Sequence, residues 1–110
     1  MGRGEKIQST VVRLTLPEKF IICLMYATKI CFSGTDPKNY KSEEKVMRMT
    51  PPRGRSFFKG AIKNLVKYGV VLRVKKRFIV LTEYGIEIAL ALLETNECRA
   101  AAYEVFRKIY

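Results

Sequence analysis

At 110 residues and 48% apolar side chains, the chain has the material for one modest core. No apolar run approaches the roughly 18 residues of a membrane span, and three cysteines without a close pair, in the absence of any histidine, argue against a zinc site. The formal net charge of +11 is confined to residues 38–77, which hold 13 Lys or Arg against two acids, Glu43 and Glu44; such a tract suits a polyanion, because each cation set against a phosphate releases condensed counterions.

Residues 1–9 are polar and glycine-containing and read as a flexible basic tail, with no apolar segment of the kind a secretory leader requires. Thr10–Leu14 is β-branched enough for a short strand. Thr15 with Glu18 makes a capping box and Pro17 tolerates a first turn, so a helix is expected from there to about Phe32, with Phe20, Leu24, Ala27 and Cys31 on its apolar stripe and Ser33-Gly34 at its end. Thr35-Asp36-Pro37 is turn chemistry, with Asp36 able to cap a single turn at Pro37–Tyr40. Ser42 caps a short helix, Glu43–Met49, with Val46, Met49 and Tyr40 facing the core; Thr50-Pro51-Pro52 must break it.

A second basic helix is expected from Arg53 or Gly54 to Tyr68, stopped by Gly69. On a helical wheel Arg55, Lys59, Lys63 and Lys67 line one face and Phe58, Ala61, Ile62 and Leu65 the opposite one. Like charges at i, i+4 destabilise a helix, so a stripe without an acid points to an anionic partner rather than to a solvated face. Val70–Val74 and Phe78–Thr82 flank Lys75-Lys76-Arg77 as a β-hairpin with a basic tip, its loop longer than two residues. Thr82 caps a helix to Glu94 in which Gly85 allows close packing. After a break at Thr95-Asn96, Glu97–Ile109 forms the last helix. Its Cys98, Ala102, Val105 and Ile109 step by 4, 3 and 4, which fits either packing on the chain's own core or a dimer seam. The cysteines read as buried apolar thiols of a reducing compartment, with a Cys98 bond between two copies as the alternative.

The order of helix, short helix, Pro-bounded turn, basic helix, basic-tipped hairpin and further helices resembles the winged helix-turn-helix DNA-binding domains of small MarR-like, PadR-like and archaeal regulators. Gly54–Val71 resembles a recognition helix ending in L-x-x-x-G-V-V, and Arg77–Gly85 resembles the R-x-x-x-L-T-x-x-G that follows the wing. The resemblance covers roughly residues 17–94. It departs from the family in a very short wing and a stiff Pro51-Pro52-Arg53-Gly54 linker. It implies a mainly α fold with a small β-hairpin (α+β). The division would be a tail at 1–9, a DNA-binding domain at 10–94 and a C-terminal helix at 95–110 suited to homodimerisation.

The resemblance further implies that Arg53, Arg55, Ser56 and Lys59 at the start of the recognition helix reach base edges in the major groove of double-stranded DNA. Asn64 would read adenine or touch phosphate, and Lys63 and Lys67 would meet phosphate. Arg73, Lys75, Lys76 and Arg77 would form the wing, and Lys38, Lys41, Lys45 and Arg48 a backbone clamp. No glycine-rich phosphate loop or paired carboxylates suggest an enzyme, a cofactor or a metal. A winged-helix protein-interaction or RNA-binding module stays open; an RNA reader would expose aromatics such as Tyr40, Tyr68 or Tyr84. A membrane-surface role is not expected, because the apolar face of the basic helix is needed for the core. A DNA-binding role would place the chain in the cytoplasm with the nucleoid, or in a nucleus.

Overall fold

The computed structural model describes residues 3–33, 39–54 and 56–110, and its first element replaces both the tail and the strand expected of the N-terminus. Arg3–Arg13 form a helix, α1. Ile7, Val11 and Leu14 recur at helical spacing; Val11 and Leu14 are buried and Ile7 packs against them. Burial of that stripe outweighs the β-branched character of Val11-Val12. The Tyr84 hydroxyl, from a later helix, donates to the Lys6 carbonyl (3.2 Å) and bonds the Thr10 hydroxyl, while the Lys6 ammonium lies 5.1 Å from the Tyr84 ring centre.

Leu16–Ala27 form α2, with the expected capping box: Glu18 N–H donates to Thr15 Oγ1 (3.4 Å) and Thr15 N–H to Glu18 Oε1 (3.0 Å). The helix stops short of Phe32. Lys29 takes a left-handed φ of 62°, Lys29 N–H donates to Tyr26 O (3.2 Å) and Ile30 N–H to Met25 O (2.9 Å), which is the Schellman termination. Lysine holds the position where glycine is commonest, so composition does not mark the stop. Ile30–Phe32 then run extended beside a strand, bonded through Leu81 N–H to Ile30 O (2.9 Å) and Phe32 N–H to Leu81 O (2.8 Å). Gly34, the Thr35–Pro37 turn and the Asp36 cap lie outside the described residues.

Lys41–Ser42 form a short strand, β1, leading into α3 (Glu43–Arg48), where the Ser42 side chain accepts from Lys45 N–H (3.1 Å). Val46 is buried as expected, but Met47 turns inward in place of Met49, which is exposed. Pro52–Gly54 make a single 3-10 turn, and α4 spans only Ala61–Lys67. β2 (Val71–Val74) and β3 (Phe78–Leu81) make the expected hairpin; β1 joins the far side of β3, giving the antiparallel order β1-β3-β2. Helices α5 (Glu83–Glu94) and α6 (Glu97–Ile109) complete an α+β fold of six helices and three strands among the described residues.

Helix α2 is the hub of the core. Its Ile21, Ile22 and Met25 are fully buried with Leu65 of α4, Ile79 and Leu81 of β3, Ile88 and Leu92 of α5 and Val105 of α6. Its expected stripe is therefore too narrow: α2 is covered on several sides, while Ala27 is exposed. The Leu-Thr-x-x-Gly run has a definite physical content. Thr82 Oγ1 donates to Gly69 O (2.7 Å) and accepts from Gly85 N–H (2.9 Å), tying the start of α5 to the turn after α4. Gly85 is there because a Cβ would stand 2.1 Å from the Val70 carbonyl oxygen.

Two cysteines are not free thiols. Cys23 of α2 and Cys98 of α6 form a disulfide within the chain, Cα to Cα 5.7 Å. The bond stands in place of the buried free thiols and of the Cys98 link between two copies expected from the sequence, and cysteines paired in this way do not point to a reducing compartment. Cys31 is the remaining thiol, and partial burial raises its pKa. No helix among the described residues is long and apolar enough to cross a membrane.

Candidate nucleic-acid interface

The basic tract divides into three parts that different elements position. The first is the hairpin tip with α3. Lys75, Lys76 and Arg77 are exposed between the paired residues Val74 and Phe78, so the loop is three residues long, as expected. Lys75 and Lys76 both have positive φ, 49° and 69°. The tip is joined to α3 by Glu43 N–H donating to Arg77 O (2.8 Å) and by the Arg73 guanidinium straddling the Glu43 carboxylate (3.2 and 3.3 Å). Lys41 and Lys45 are exposed on the same β1–α3 unit.

The two acids of the tract are thus spent on two of its cations. Glu43 takes Arg73, and Glu44 takes Arg48 at 2.5 Å across one turn of α3. Exposed pairs of this kind contribute little to stability, but they leave Arg73 and Arg48 less open to a phosphate than their neighbours. Among the described residues, Lys41, Lys45, Lys59, Lys63, Lys67, Lys76 and Arg77 have no acid partner. Lys38 of the expected clamp lies outside the described residues.

The second part is α4. Lys63 and Lys67 are exposed one turn apart, opposite buried Ala61, Ile62 and Leu65. The four-cation stripe of one long helix is corrected, however. Pro51 and Pro52 allow only a single 3-10 turn, residues 56–60 continue as turns, and Gly60 starts α4 from a left-handed φ of 82°. Ser56 and Lys59 are exposed on that turn segment, ahead of the helix instead of within it. Arg55 lies outside the described residues. Asn64 is exposed on the same side, and its Nδ2 donates to Glu18 Oε2 (3.0 Å), so one hydrogen of its amide serves the fold. Glu18 is 1% exposed, with its other oxygen in the capping box.

The third part is Arg53, whose guanidinium lies 5.4 Å from the ring centre of Tyr110 at the end of α6. This contact closes a chain of aromatic neighbours, Phe57–Phe58–Phe20–Phe106–Tyr110, with ring centres 5.3 to 6.3 Å apart. Helix α6 is further held to α2 by the disulfide and by Lys19–Glu97 at 2.9 Å, a bond that lowers the Glu97 pKa against the opposing effect of its burial. The seam of Cys98, Ala102, Val105 and Ile109 therefore meets the chain's own core: Val105 is fully buried and Cys98 is bonded to α2. A homodimer through α6 would have to use its other face.

The aromatics named for a nucleic-acid role are half-buried: Tyr40 packs on Phe78 (5.0 Å), and Tyr68 and Tyr84 pack against the core. The exposed ones are Tyr103, Phe106 and Tyr110 on α6. Their i, i+3 and i+7 spacing was in the sequence, on the flank of the seam, and could have marked them. Among the described residues no cluster of His, Cys, Asp or Glu could hold a metal. Comparison with protein-family models, with curated proteins and with solved structures found no match.

Proposed function

We propose that the chain binds double-stranded DNA as a small winged helix-turn-helix protein and acts in transcriptional regulation. The observation that carries the reading is the set of exposed cations without acid partners on α4, on the turn before it and on the β1–α3–hairpin unit. Support also comes from the order of elements: α2, β1, α3, α4, β2 and β3, with a basic hairpin tip anchored to the helix before the recognition element. In this reading Ser56 and Lys59, with Arg53, approach base edges from the turn that precedes α4. Lys63 and Lys67 meet phosphate along it, and Lys75, Lys76 and Arg77 meet the flanking backbone with Lys41 and Lys45.

A salt titration of binding to a mixed-sequence duplex, beside a single strand and a duplex RNA, tests the proposal. Preference for duplex DNA, with affinity falling roughly as the −0.9Z power of salt for Z phosphate contacts, is the expected result. The Lys75→Ala/Lys76→Ala/Arg77→Ala variant should bind all duplexes more weakly and with a shallower slope, by about one unit per lost contact. Equal binding to all three nucleic acids, or an unchanged slope in the variant, would turn the reading toward an RNA-binding or protein-interaction module.

A further inference from the structure

Helix α6 presents one face to the core and a second, chemically distinct face to solvent. On the wheel Arg99, Tyr103, Phe106, Arg107 and Tyr110 fall together on the flank of the seam that holds Cys98 and Val105, and all five are exposed. Tyr103 and Tyr110 are 68% and 66% exposed, an unusual state for large rings that nothing in the fold requires. The one acid beside this face, Glu104, is engaged by Arg107 at 3.7 Å. Phe106 and Tyr110 stack nearly parallel, 18° between planes, and the Tyr110 ring meets Arg53 of the basic tract. A depression of about 370 Å³ opens beside Tyr103, lined by Thr95, Asn96, Arg99 and Ala100.

We infer that this face of α6 is a stacking platform for unpaired bases of a DNA strand that leaves the duplex held by the basic tract. Aromatic rings accept any base by stacking, Arg99, which has no acid partner among the described residues, holds an accompanying phosphate, and the combination is how single strands are bound without sequence preference. The Arg53–Tyr110 contact makes the platform continuous with the duplex surface, so one strand passes from one to the other. A second copy of the chain is the poorer occupant: self-docking would bring the unpaired Arg99 of two copies together while Glu104 is already engaged by Arg107. The inference rests on the DNA reading above and adds a second mode to it.

The test compares a blunt duplex with a duplex of equal phosphate count that carries a short single-stranded tail. The native chain should bind the tailed form more tightly, by roughly fivefold to a hundredfold for each base stacked. Tyr103→Ala should abolish that preference while leaving blunt-duplex affinity unchanged, and Tyr103→Phe should keep it. Equal affinity for the two forms, or a tail preference that survives in the Tyr103→Ala/Tyr110→Ala variant, overturns the platform. A native dimer in sedimentation that dissociates on Tyr103→Ala overturns it as well, by giving the face to a second copy. Failure to bind the blunt duplex would count against the duplex reading alone, and the isolated tail strand would still report on the platform.

Discussion

Asn64 shows that a single side chain can carry a structural bond that its position alone does not reveal. It follows Lys63 on the wet side of α4, where an amide looks available for adenine, yet its amide is given to a buried carboxylate 46 residues earlier in the chain. That partner was hidden because the capping box already explained Glu18 in full. Removing the amide by Asn64→Ala leaves one oxygen of a residue that is 1% exposed without its donor. The expected cost is about 1–3 kcal/mol in urea unfolding, with DNA sequence preference unaltered. A shifted preference at unchanged stability would return Asn64 to the base-reading set.

Among the elements, legibility followed the chemistry of the ends. Thr15 with Glu18, Ser42, Thr82 and Gly69 are residue types that terminate helices by their own side chains or lack of one, and each stands where its type predicts. Lys29 ends α2 with no such mark, and Gly60 starts α4 from a backbone shape that reads as helix interior in a wheel. Strand β1 is two residues long and exists only because β3 offers an edge, so no local pattern could show it. For the same reason the basic surface was legible as charge but not as three separately held parts. The hairpin tip carries its own prediction. Lysines at φ 49° and 69° cost about 1–2 kcal/mol each relative to residues suited to that region. Lys75→Asn/Lys76→Gly should therefore raise the thermal midpoint while weakening duplex binding. A lower midpoint would mean that the two lysines make compensating contacts at the tip.

At the scale of the molecule, the charge is confined but the core is shared. Val46, Phe58, Ala61, Ile62, Leu65, Val70 and Val71 are buried in the same core as residues of α1, α2, α5 and α6, while the tract between Lys41 and Arg77 that carries them also supplies the cations on its outer side. The Cys23–Cys98 bond spans 75 residues of sequence and so encloses that whole tract, leaving α1 with the first part of α2, and α6 beyond Cys98, as tails on a covalent ring. A ring has no free ends to lose. A protease cutting after the exposed Lys75, Lys76 or Arg77 would open it at one point without releasing either piece. On denaturing gels the nicked protein should run as a single band without reductant and as two with it. Two bands in both lanes would show that the bond does not form in solution. Where the bond holds, damage at the most accessible basic loop is survivable, because the broken strand stays tethered beside the partner it left.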